Sequence, residues 1–167
     1  MPNALLTFLV MTICMFASPV ADAQQMVFVV RHGEKLDDGK DSWDPPLSSM
    51  GEARAARLAQ MLALSGVTAI YTTQYQRSIQ FAAPFARALK IVPVVNSAGD
   101  TAGLLKKIAT HAAGDVLLVV GHSNTVPLIL KGLGYPGEIA IEETEFDHFF
   151  VLVLKAQGAP ALVRLKY

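Results

Sequence analysis

An α/β fold, with a mostly parallel sheet covered by helices on both faces, is predicted by three features of the 167-residue sequence. Short apolar runs such as MVFVV, VTAIY and DVLLVVG are continuous rather than alternating, as strands buried on both faces require. Segments with helical spacing of apolar residues separate them. No internal repeat, low-complexity tract or linker interrupts the alternation, so one domain is expected.

The elements follow in order. Residues 1–23, MPNALLTFLVMTICMFASPVADA, read as a signal peptide cleaved before Gln24. The apolar run Leu5–Ala17 is shorter than the roughly 20 residues a membrane span needs, and Ala21-Asp22-Ala23 is an A-x-A-like end. The segment departs from the pattern in lacking Lys and Arg, since Arg31 is the first basic residue. Cys14 is the one cysteine and would leave with this segment. Residues 24–167 then form the domain, without disulfide, thiolate nucleophile or cysteine metal site. MVFVV (26–30) is the first strand. In PLSSMGEARAARLAQMLALSG, Ser48 or Ser49 caps a helix whose apolar stripe runs to Gly66. VTAIY (67–71) is the second strand. QYQRSIQFAAPFARALK is a helix expected to kink or divide at Pro84. IVPVV (91–95) is a short edge strand, because Pro93 lacks a donor. Asp100 caps a helix over DTAGLLKKIATHA. DVLLVVG (115–121) is the fourth strand, and a helix over NTVPLILKGLG follows. HFFVLVLKA and ALVRLKY form a late antiparallel hairpin.

Composition limits function. Lys and Arg (14) balance Asp and Glu (14), and no basic stripe appears. That argues against a nucleic-acid binder. Motif by motif, there is no H-x-H, no HExxH and no Walker loop, so neither metal nor cofactor is implied. GHSNT fails the G-x-S-x-G nucleophile elbow.

In open parallel sheets, ligands bind beyond the carboxyl ends of the strands. Arg31 and His32 lie just past the first strand, and Gly121 and His122 just past the fourth. Arg77 follows the second strand by a few residues. Two histidines and two arginines at one rim would repel each other without an anion between them, so a phosphate or carboxylate ligand is expected. A neutral imidazole is also a nucleophile, and fixed cations stabilise a transferring phosphoryl group. Gly33 is expected to let backbone approach the anion.

VVRHGEK, PPLSSMGEARA, IYTTQYQRSIQFA and VVGHSN, in this order, resemble the histidine phosphatase superfamily, the phosphoglycerate-mutase-like group. The resemblance covers essentially the whole of residues 24–167 and implies a three-layer α/β/α fold. It implies His32 as the nucleophile that becomes phosphohistidine and Arg31 and Arg77 as phosphate clamps. His122 is implied as the second histidine, which binds phosphate and stabilises the transition state. Thr73 falls where the family often has a substrate-touching Ser. The proton donor departs from the pattern. Many members carry Glu where Asn96 stands, and the phytase-like branch carries Asp where Ser123 stands. Glu34 is favoured, with Glu142, Glu143, Glu145 and Asp147 as alternatives. A weak donor suits good leaving groups, as in phosphohistidine. No cap domain is inserted between Arg77 and His122. An open, modestly selective site is therefore expected, and a dedicated phosphoglycerate mutase is not.

The expectation is an exported, metal-independent phosphatase of phosphomonoesters or phosphoramidates, acting on a small phosphorylated substrate or a phosphoprotein. It would have no membrane span after cleavage and reside in the periplasm or outside the cell. A non-catalytic phosphate- or phosphosugar-binding module of the same fold is the alternative, and an envelope phosphatase of lipopolysaccharide sugars a third.

Overall fold

The computed structural model describes residues 24–37, 39 and 42–167, so the expected signal peptide lies outside the described residues. Ten elements alternate along the chain: β1 (Gln25–Arg31), α1 (Ser49–Met61), β2 (Val67–Thr73), α2 (Gln76–Leu89), β3 (Val94–Asn96), α3 (Thr101–Ile108), β4 (Val116–Gly121), α4 (Thr125–Gly132), β5 (His148–Leu154) and β6 (Ala161–Lys166). They build one six-stranded sheet in the order β3-β2-β4-β1-β5-β6. The first four strands in that order are parallel. β5 runs antiparallel to β1, and β6 antiparallel to β5. The expected parallel sheet therefore carries the late hairpin as a mixed edge.

Alternation along each buried strand explains the three layers. Phe28 and Val30 of β1 join Leu118 and Val120 of β4, and meet Ala55 and Leu58 of α1 and Phe81 and Phe85 of α2. Val27, Val29, Leu117 and Val119 point the other way, onto Leu104 and Ile108 of α3 and Val126, Ile129 and Leu130 of α4. Each such Leu or Phe contributes about 1.5–3 kcal/mol by leaving water. Both faces of the central strands are thus dry, which is why their sequences are continuously apolar.

Several boundaries move, for identifiable reasons. Ser48 is the N-cap of α1, its side chain accepting from Gly51 N at 3.2 Å. The helix stops at Met61, short of Gly66, and a turn closed by Ser65 N donating to Leu62 O follows. Of the expected kink or division at Pro84, the division does not occur: α2 runs as one helix through it. Phe81, Ala82 and Phe85 bury the surrounding turn, and that packing outweighs the one hydrogen bond proline removes. β3 begins at Val94 rather than Ile91, because Ile91 N is donated to Ala86 O in the C-terminal cap of α2. It is an edge strand, as expected. Asp100 caps α3, accepting from Gly103 N at 2.8 Å.

These lengths decide where the site forms. Arg31 is in register with Gly121, and Thr73 with Asn96. The carboxyl ends of four parallel strands therefore open onto one rim. Among the described residues no helix is long and apolar enough to cross a membrane.

Candidate active site

His32 leaves the end of β1 with its backbone N bonded to Gly121 O at 3.0 Å. Its Nδ1 lies 2.7 Å from Gly33 O. A carbonyl only accepts, so Nδ1 carries the hydrogen and Nε2 is left with a lone pair. Arg77 Nε donates toward that lone pair at 3.3 Å. The His122 ring stands edge-on, 4.9 Å away between centroids. His122 is positioned by the turn after β4: its N donates to Thr125 Oγ1 at 2.9 Å, and its Nε2 lies 3.0 Å from Thr73 Oγ1. Both rings are buried. Burial pushes the pKa of His32 down to about 3, with His122, Arg77 and Arg31 adding repulsion against the neighbouring hydrogen bond to Gly33. Burial likewise pushes His122 to about 4, with Arg77 and Arg31 adding to it. Both imidazoles are neutral at pH 7, the form in which Nε2 is nucleophilic.

Arg31 is buried, and most of its donors are engaged. Nη1 donates to Glu142 O at 2.8 Å and Glu145 O at 2.9 Å, and Nη2 to Glu143 Oε2 at 2.8 Å. The guanidinium lies over the Phe146 ring at 4.0 Å. Nε is buried without a partner. Arg77 lies over the Tyr75 ring at 4.4 Å and pairs through Nη1 with Asp44 at 3.3 Å. Asp44 also accepts from Gln76 N at the start of α2, which fixes the turn that presents Arg77. These groups border an open cavity of about 580 Å³, with Trp43, Tyr75 and Lys35 among its other walls.

The structure thus gathers His32, Arg31, Arg77 and His122 as the strand-end argument expects, and sets Thr73, named by the resemblance, against His122. It corrects two other expectations. Glu34 turns away from the cavity, and both of its carboxylate oxygens are held by Arg54 of α1. The Arg54 hydrogen bond holds its pKa below the usual carboxylate range, so Glu34 is neither placed nor protonated to donate. Gly33 does not line the cavity. A Cβ there would lie 2.8 Å from Gly51 Cα and 2.9 Å from Gly51 O, so its smallness serves the contact with α1 rather than an anion. Asn96 donates to Ser97 O and Asp100 O, and accepts from Lys107 Nζ at 2.8 Å, holding the loop before α3. Of the acidic loop, Glu145 meets His148 and Lys166, Asp147 meets Lys166, and Glu143 borders the cavity. Asp44, Trp43, Tyr75 and Phe146 are not marked by any motif. The one sequence signal for Tyr75 is its place two residues before Arg77. Among the described residues, no group of three or more His, Cys, Asp or Glu is arranged to hold a metal ion.

Residues 27–99 match the family described as histidine phosphatase superfamily (branch 1). No curated protein matches the chain in sequence. Among solved structures, the protein histidine phosphatase SixA complexed with tungstate is similar at TM-score 0.65 and 18% identity, covering 84% of this chain and 96% of that one. A putative phosphohistidine phosphatase SixA from Agrobacterium tumefaciens is similar at TM-score 0.64 and 19% identity, covering 85% and 98%. A mycobacterial glucosyl-3-phosphoglycerate phosphatase complexed with VO3 is similar at TM-score 0.62 and 12% identity, covering 85% and 98%.

Proposed function

We propose that this chain, which has the fold of the histidine phosphatases and matches their family over residues 27–99, is a phosphatase of that superfamily and hydrolyses phosphomonoesters or phosphoramidates through a phosphohistidine on His32, without a metal, after export. One observation carries this reading: a buried neutral imidazole whose Nε2 lone pair opens between Arg77 and His122. Nε2 attacks phosphorus, and the bond to the leaving group breaks. Arg31, Arg77 and His122 surround the equatorial oxygens, where positive potential stabilises the transition state. Water then attacks the phosphohistidine and releases inorganic phosphate. The solved structures carrying tungstate or VO3 belong to proteins of this fold that hold a tetrahedral or related oxyanion, the ligand class this cationic rim suits. The open cavity supports a small phosphorylated molecule or an exposed phosphorylated side chain as substrate. Export rests on the pattern of residues 1–23.

The test is turnover of an aryl phosphate by wild type and His32→Ala, with brief incubation in labelled substrate. Wild type is expected to acquire acid-labile label and to keep its activity in EDTA. The variant is expected to lose both label and turnover while its thermal unfolding persists. Turnover retained by His32→Ala overturns the mechanism, and loss of wild-type activity in EDTA overturns metal independence. Phosphate binding without label or turnover in wild type would instead identify a binding module.

A further inference from the structure

We propose that Glu143 is the proton donor to the leaving group, stored on Arg31 until the substrate phosphate displaces it; this rests on the phosphatase reading above. Four other carboxylates near the site are paired elsewhere. Glu34 is clamped by Arg54 of α1 and does not border the cavity. Asp44 accepts from Gln76 N with both oxygens, pairs with Arg77 and is not among the residues bordering the cavity. Glu145 and Asp147 are spent on His148 and Lys166. Among the described residues, Glu143 is the carboxylate that borders the cavity together with His32 and His122.

Its attachments suit a stored acid. Oε2 accepts from Arg31 Nη2 at 2.8 Å, and Oε1 accepts from Ser123 Oγ. Ser123 directly follows His122, so the carboxylate spans the two strand ends that hold the nucleophile and its partner histidine. The side chain is 80% exposed, and leaving Arg31 opens no hole in the core. Arg31 itself stays put, because Nη1 is bonded to two backbone carbonyls and the guanidinium rests on Phe146. A phosphate arriving beside His32 takes Nη2, and the unpartnered Nε supplies a second donor. Glu143 then exchanges a cation for a dianion as its neighbour.

That exchange reverses its titration. In the free site, the Ser123 hydrogen bond holds the carboxyl below the usual carboxylate range, with the charges of Arg31 and Lys35 adding to it. His32 and His122 face the same cavity as neutral rings, and Arg77 is turned to Asp44. With phosphate on Arg31, like-charge repulsion favours the protonated carboxyl. The balanced step follows. Nε2 of His32 bonds to phosphorus, the bond from phosphorus to the leaving oxygen breaks, and the Glu143 proton passes to that oxygen. The carboxylate so formed takes a proton from the water that attacks phosphohistidine, restoring acid and nucleophile.

The test compares phenyl phosphate with 2,4-dinitrophenyl phosphate, which share a shape but differ in leaving group. General acid catalysis is worth about 10²–10⁴-fold and matters least where the leaving anion is stable. Glu143→Gln is expected to lower kcat about 100-fold or more on phenyl phosphate and less than about 10-fold on the dinitrophenyl ester. The fall of kcat at high pH, seen with phenyl phosphate in wild type, is expected to disappear. Equal losses on the two esters would overturn the proposal in favour of Glu143 merely positioning Arg31. A gain on both would overturn it in favour of a plug. His32→Ala separates the two levels: if it keeps turnover of both esters, the phosphatase reading itself fails. Thermal unfolding of Glu143→Gln at the wild-type temperature excludes a folding defect.

Discussion

Acidification from pH 7 to pH 5 should destabilise this protein through two particular rings. His32 titrates near 3 and His122 near 4 in the fold, against about 6.5 in an unfolded chain. Between these values the unfolded chain binds protons that the folded one refuses. Stability therefore rises with pH in this window, and it is lost as pH falls through 6.5. Integrating from pH 7 to pH 5 gives about 2 kcal/mol for each ring and about 4 kcal/mol for the pair. That is a large share of the roughly 5–15 kcal/mol that holds a domain together. The assay is urea unfolding at both pH values, for wild type and for the His32→Asn/His122→Asn variant. Asparagine keeps a donor near the Gly33 carbonyl but does not titrate. His111 and His148 are unchanged in both proteins, so their contributions cancel in the comparison. Wild type should lose about 4 kcal/mol more than the variant over this interval. The same loss in both proteins, within about 1 kcal/mol, would refute the claim that the site stores two neutral, desolvated imidazoles.

Two further predictions concern the segment after His32. A Cβ at residue 51 would sit 2.3 Å from Glu34 O and 3.0 Å from Glu34 N, backbone atoms that cannot swing aside. Gly51→Ala is expected to lose about 2–3 kcal/mol in urea unfolding and to lower kcat/KM at least about 10-fold, since the displaced Glu34 backbone lies two residues from His32; wild-type values in both would count against the contact. Glu34→Gln breaks a largely buried ion pair with Arg54 and should lose about 1–3 kcal/mol of stability. The ratio of phenyl to dinitrophenyl turnover should not change, and a selective loss on phenyl phosphate would return Glu34 to the role of acid.

The strand ends were readable because their signal is local. A continuous apolar run that stops at Arg31-His32, and another that stops at Gly121-His122, place three polar side chains at one rim whatever the details of packing. The direction of a side chain is different in kind. Glu34 and His32 are two residues apart, yet Arg54, 20 residues further on, draws the carboxylate to the other side. Gly33 carries a similar lesson: glycine beside a nucleophile suggests room for a ligand, but its missing Cβ faces another glycine on α1. Nor does any motif mark Asp44, because its role depends on a loop meeting the start of α2 across 32 residues of chain. Pro84 shows the limit of a local rule. Its ring argues for a break, and the two phenylalanines beside it argue harder for continuity.

Arg31 sits in the first strand, and the carbonyls that hold it come 111 and 114 residues later, in the loop leading into β5. A guanidinium at that depth without those acceptors is costly. The placement of Arg31 is therefore fixed by long-range contacts, which are slower for a chain to close than local ones. Without the segment leading into β5, β1 to β4 would still place His32 but would lack the acceptors that hold Arg31 beside it. On the proposed mechanism, activity then depends on the docking of the last hairpin as much as on the strand ends that carry the two histidines.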